Sequence, residues 1–94
     1  MTENEILRMA IHKFGDRAQE EMVIEECSEL IQAISKKHRG KEHNIAEEIA
    51  DVEIMLEQLK IINCCHTEVK NIRINKVKRL FHRMFEVERV VSWL

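Results

Sequence analysis

Glu26 and Glu29, and again Glu48 and Asp51, stand three residues apart within the stretch EECSELIQAISKKHRGKEHNIAEEIAD, residues 25–51. Residues at that spacing share one face of a helix. A basic turn around Gly40 separates the pairs, so two helices folded back antiparallel across it can gather four carboxylates into one cluster. Such a cluster repels itself unless cations sit in it. Hard divalent ions that prefer oxygen, Mg²⁺ or Mn²⁺, are the natural occupants. Four carboxylates can hold two or more such ions, which bridge phosphate oxygens, neutralise developing charge and lower the pKa of a bound water. That chemistry is phosphoanhydride hydrolysis.

The elements that must position these acids read as helices. Thr2 and Glu5 fit a capping box that opens a first helix running to about Phe14. Gly15 stops it, and Asp16 with Gln19 offers the cap of a second helix reaching about His38. Gly40 takes the usual position after a helix C-terminus. On the second helix a turn of about 100° per residue puts Val23, Cys27, Leu30 and Ile34 in one stripe. Met22 and Ala33 flank it on one side, Ile24 and Ile31 on the other. Glu26 falls inside this apolar arc and Glu29 at its edge, whereas Glu25 points away with Ser28 and Gln32. An acid facing a core must be paired, protonated or bound to metal. Glu26 and Glu29 are therefore better ligand candidates than Glu25.

Asn44 and Glu47 form a second capping-box signature, predicting a third helix over about Ile45 to Ile62. Ile45, Ile49, Val52, Met55, Leu56, Leu59 and Ile62 make its main apolar face, with Glu48 near the middle and Asp51 at the margin. Two helices thus break their binary pattern in the same way. Ala50, Ile54 and Ile61 add a second apolar strip, which points to a partner subunit covering that side. Residues 63–66, Asn-Cys-Cys-His, predict a turn, and Thr67 a cap for a fourth helix. Ile72, Val77, Leu80, Phe81, Met84, Val87 and Val91 give that helix an apolar face bordered by Lys76, Arg79 and Arg83. The VVSWL tail either continues that helix or packs loosely, and Trp93, the single Trp, suits C-terminal packing more than base stacking.

Ninety-four residues amount to one small domain, residues 1–94, that buries only a modest fraction of its surface when it folds alone. A core shared with another copy would help. With no Pro, two Gly and 34% charged residues, the composition suits helices and leaves little for tight hairpins. The fold expected is all-α, an antiparallel bundle of about four helices completed by oligomerisation. A net charge of −2 supplies no global basic field, so a nucleic-acid polymer is not an expected partner. Three cysteines, two of them adjacent at Cys64 and Cys65, do not make a disulfide framework and fit a reducing compartment. The first residues lack the pattern of a signal peptide, and no apolar run approaches bilayer length. A soluble, cytoplasmic protein without a membrane partner is the expectation.

Glu25-Glu26-Cys27-Ser28-Glu29 followed by Glu48-Ile49-Ala50-Asp51 resembles the EExxE…ExxD signature of the MazG-like all-α nucleoside triphosphate pyrophosphohydrolases. That superfamily includes dimeric dUTPases and phosphoribosyl-ATP pyrophosphatases. The likeness extends from roughly Phe14 to Arg83. It implies a homo-oligomeric helical bundle, dimer or tetramer. It also implies Mg²⁺-dependent hydrolysis of a nucleoside triphosphate between the α and β phosphates, with Mn²⁺ as a possible substitute. Carried over by position, the metal ligands are Glu26, Glu29, Glu48 and Asp51, and Glu25 matches the acid that orients or deprotonates the attacking water. Asn75-Lys76 and Arg79 resemble the Asn-Lys and basic residues that members place on the phosphates, and Arg83 shares their border.

Other readings compete. A ferritin-like di-iron protein needs Glu-x-x-His pairs, which neither Glu26 nor Glu48 supplies. His38 and His43 flank the turn without zinc spacing, and Cys64-Cys65-His66 is too compact to wrap a tetrahedral ion. Lys36, Lys37, Arg39 and Lys41 suit a solvated loop at the negative end of the second helix. A non-enzymatic helical module, its acids buried in interhelical pairs with Lys or Arg of the fourth helix, remains the alternative to an enzyme.

Overall fold

The computed structural model describes residues 1–85. Among them it has four helices and no strand: α1 Glu3–Phe14, α2 Asp16–His38, α3 Ile45–Ile62 and α4 His66–Phe85. Val87, Val91 and Trp93 lie outside the described residues. The chain divides into two compact units, Met1–Cys64 with the first three helices and Cys65–Leu94 with α4. No helix among the described residues is long and apolar enough to cross a membrane.

Local chemistry sets most of the boundaries. The capping box at α1 forms in full, with the Glu5 amide donating to Thr2 Oγ1 at 3.1 Å and the Thr2 amide donating to Glu5 Oε1 at 2.8 Å. These bonds favour the ionised acid and hold the Glu5 carboxyl below its ordinary range. Gly15 closes α1 at φ 95°, a left-handed value that a side chain would resist. Gly40 does the same after α2 at φ 70°, where its amide donates to the Lys37 carbonyl and the Lys41 amide to that of Lys36. Cys64 takes φ 51° just after α3, a place where glycine is the usual residue.

Three caps depart from expectation. The N-cap of α2 is Gly15 and no side chain caps it, so Asp16 already lies in the first turn. Gln19 is drawn into the interface with α3 instead. Asn44 is the N-cap of α3, yet its side chain makes no cap bond; it turns to Glu48. The Val69 amide donates to the Cys65 carbonyl at 2.9 Å, so α4 starts at His66 and Thr67 sits inside its first turn.

In the first unit α2 packs most extensively on α3, and α1 rests on both. Gln19, early in α2, bonds Gln58, late in α3, whereas Glu29, farther along α2, approaches Glu48 near the start of α3. The order is reversed, so the two helices run antiparallel. Leu7, Val23, Ala33, Val52, Met55 and Ile61 form the core, and Ala33, only 2% exposed, lets the backbones come close. Cys27 and Leu30 are half-buried, but Ile24 and Ile31 stand out at 71% and 66% exposure.

The buried face of α3 is rotated from the one the sequence suggests. Gln58 and Ile61 are buried while Ile49 and Leu56 are exposed. Ile61, expected at a subunit contact with Ala50 and Ile54, instead lines a recess with Ile11, His12 and Gly15, on the side of α3 that meets α1. Ala50 and Ile54 do remain exposed. In the second unit the described part of α4 buries only His82. Its apolar residues Ile72, Val77, Leu80, Phe81 and Met84 are all exposed, and Phe81 and Phe85 stack obliquely with centroids 4.7 Å apart.

Gln19 Nε2 donates to Gln58 Oε1 at 2.7 Å in the buried α2–α3 interface. Removing one partner strands a buried amide at about 1–3 kcal/mol, whereas replacing both by apolar groups of similar shape is nearly neutral. Gln58→Leu is therefore expected to melt clearly earlier than the parent, and the Gln19→Leu/Gln58→Leu double variant to recover most of the loss. Urea or thermal melts of the four-member cycle measure the coupling, and additive losses would show that the amides do not act as a pair.

Candidate metal centre

The two acid pairs meet where α2 and α3 cross the middle of the first unit. One carboxylate oxygen from each of Glu26, Glu29 and Glu48 lies within 4.8 Å of the others. Glu48 is only 7% exposed, and Glu26 and Glu29 are half-buried. The register explains the convergence. Seven residues on from Gln19 is Glu26, and seven back from Gln58 is Asp51, so the amide bond sets these two acids opposite each other two turns away. Glu29 and Glu48 come opposite one turn farther on.

Asp51 is half-buried and does not belong to the trio within 4.8 Å. Its side chain is one methylene shorter than glutamate. Its charge still acts on Glu26, whose carboxyl is pushed above the ordinary range first by burial, then by the negative charges of Glu29, Asp51, Glu48 and Glu25. Glu25 itself is exposed and exerts the weakest of these effects.

Hydrogen bonding satisfies the cluster only in part. Asn44 Nδ2 donates to Glu48 Oε2 at 2.9 Å, while Glu48 Oε1 and Glu26 Oε1 are buried without a hydrogen-bond partner. An orphaned buried acceptor signals a missing ion or water. No Lys or Arg of this unit pairs with the three acids: its ion pairs among the described residues are Arg17 with Glu21 at 3.4 Å and Lys60 with Glu57 at 3.1 Å. The donor set, all hard oxygen, suits a hard divalent cation.

The basic residues belong to other surfaces. In the second unit Lys76, Arg79 and Arg83 are exposed and, with Leu80 and His82, line a recess of about 430 Å³. Lys36, Lys37, Arg39 and Lys41 are exposed around the α2–α3 turn. Two features of the site had weaker sequence signals. Asn44 lies one helical step, i to i+4, before Glu48, a spacing that permits its hydrogen bond, but the capping pattern at Asn44 and Glu47 competes with that reading. Gln19 and Gln58 are ordinary surface residue types until the two are brought together.

Comparison with protein families gives a match to the MazG nucleotide pyrophosphohydrolase domain over residues 14–88. Comparison with curated proteins and with solved structures returns no match.

The raised Glu26 pKa fixes the sign of a pH effect. Well below the ordinary glutamate range Glu26 is protonated in both folded and unfolded chains, and its contribution to stability is fully present. As pH rises through that range and past the raised folded value, the unfolded chain gives up the proton more readily and the contribution is lost. In EDTA, the melting temperature of Glu26→Gln is therefore expected to gain on that of the parent over this window. A difference between the two proteins that stays constant with pH would contradict the assignment.

Proposed function

The chain belongs to the MazG nucleotide pyrophosphohydrolase family, hydrolases acting on phosphoanhydride bonds, and on that premise we propose that it cleaves a nucleoside triphosphate between the α and β phosphates with Mg²⁺. The products are the monophosphate and pyrophosphate, and Mn²⁺ substitutes for Mg²⁺. One observation carries the reading: three carboxylates from two antiparallel helices meet, and a buried oxygen of Glu26 and one of Glu48 have no hydrogen-bond partner.

In this reading Glu26, Glu29, Glu48 and Asp51 hold the divalent ions, Asp51 through its position opposite Glu26. When bound, the ions supply Lewis-acid neutralisation of triphosphate charge and lower the pKa of water. Glu25, exposed outside the tight trio, orients or deprotonates the attacking water. Lys76, Arg79 and Arg83 compensate phosphate charge that the carboxylate site leaves uncovered. Their shared recess favours a phosphate over three independent solvated cations. Residues 1–94 are taken to work as one MazG-like domain, because the family match runs from the first unit into the second.

A second copy of the chain completes this assembly. Ile24, Ile31, Ile49, Ile54 and Leu56 on α2 and α3 are exposed, more apolar surface than a small monomer leaves open without a partner. Sedimentation equilibrium is expected to give a dimer or tetramer. A monomeric mass at micromolar concentration together with a cooperative melt would defeat this part of the proposal.

Hydrolysis is tested with a panel of canonical and modified NTPs and dNTPs in Mg²⁺, with pyrophosphate resolved from orthophosphate. Release of pyrophosphate is expected. Glu48→Gln keeps the shape but removes a charge, and should lower turnover by orders of magnitude while the metal-free melting temperature holds or rises. Lys76→Ala should weaken substrate binding or transition-state stabilisation without abolishing metal binding. The catalytic reading is lost if metal-free Glu48→Gln melts far below the parent yet keeps the parent's activity.

A further inference from the structure

Asn44 has the residue type and position of a helix cap but does not cap α3. Its Nδ2 donates to Glu48 Oε2 at 2.9 Å, while the Ile45 amide donates to His43 Nδ1 at 3.4 Å. The amide cannot be reversed, since Oδ1 would then face a carboxylate oxygen with no proton between two acceptors. Glu48 is thus held by one oxygen while the other, Oε1, is buried without a partner.

That tie matters because of what surrounds it. Glu29 and Glu26 bring negative charge within 4.8 Å of Glu48, and a glutamate with free torsions would swing away from them. A hydrogen bond from the first position before α3 to an acid one turn in restrains those torsions. Orientation of a ligand through its second oxygen is a general way to fix metal geometry. We propose that Asn44 is a positioning residue, which holds Glu48 so that Oε1 is presented to a divalent cation shared with Glu26 and Glu29. This rests on the metal reading of the carboxylate cluster.

Two variants of the full chain separate positioning from capping. Serine caps a helix as well as asparagine but is too short to reach Glu48, and glycine caps with no side chain. Free Mn²⁺ is counted by EPR during titration of the metal-free protein, and melting in EDTA is recorded in parallel. Asn44→Ser and Asn44→Gly are expected to lose Mn²⁺ affinity to a similar degree, about tenfold or more, with the Asn44→Ser melting temperature equal to or above the parent's. Parent-like affinity in Asn44→Ser overturns the inference while leaving the metal site intact. Affinity losses that only follow losses in metal-free stability assign Asn44 to the cap and overturn it as well. A parent that binds no Mn²⁺ removes the metal reading itself, and the role of Asn44 with it.

Discussion

Like charges held together in a partly dry interface are the constraint around which the first unit is built. Glu26, Glu29 and Glu48 would each gain by separating, because the attraction of water for a carboxylate exceeds anything the interior offers it here. Separation is prevented by the packing of α2 on α3. Ala33 permits a close approach at one end of the contact, Val23, Val52 and Met55 fill its centre, and the Gln19–Gln58 bond fixes its register. A slip of one turn along this interface would break that bond and leave only one acid of each helix facing an acid of the other. The hydrophobic contacts favour burial but are indifferent to small slips, whereas a directional amide bond is not. Specificity of register therefore falls to a polar pair, as it does where a buried amide sets alignment in coiled coils.

The same constraint accounts for how much could be read from the chain. Helix limits were legible wherever a terminus carries its own chemistry: the Thr2–Glu5 box, and glycines 15 and 40 at positive φ. The acid pairs were legible because i, i+3 spacing converts directly into a shared face, and because both pairs interrupt apolar arcs. The rotation of α3 was not. That helix has two apolar strips, and periodicity says only that both exist. Which one meets α1 depends on where α1 lies, so Ile61 enters the core while Ile49 and Leu56 face outward.

Polar groups that satisfy one another across helices were equally hidden. Gln58, at 4% exposure, would count against the buried face in any single-helix reading, and it is acceptable there only because Gln19 arrives from another helix. Asn44 illustrates the opposite case, in which a strong local pattern misleads. Its capping signature is sound chemistry for an isolated helix. Its amide nitrogen donates to the Glu48 carboxyl instead of its oxygen accepting from the helix start, and a hydrogen bond to a carboxylate outweighs one between neutral partners.

The second unit raises a different physical question, which is what keeps α4 helical. A lone helix of this length is marginal in water, and most helices are stabilised by packing an apolar face. Among the described residues of α4 only His82 is buried, while Val77, Leu80, Phe81 and Met84 lie open. Whatever surface covers that face also orders the helix, and with it the backbone that carries Lys76, Arg79 and Arg83. The three cations occupy successive turns of the same helix, so they face one recess only while the helix is intact. Under the phosphate role proposed for these cations, ligand binding and helix order are linked: a ligand that binds only the intact recess favours the ordered helix, and whatever orders the helix raises affinity for the ligand. The carboxylate cluster needs no such help, since its register is set within the first unit.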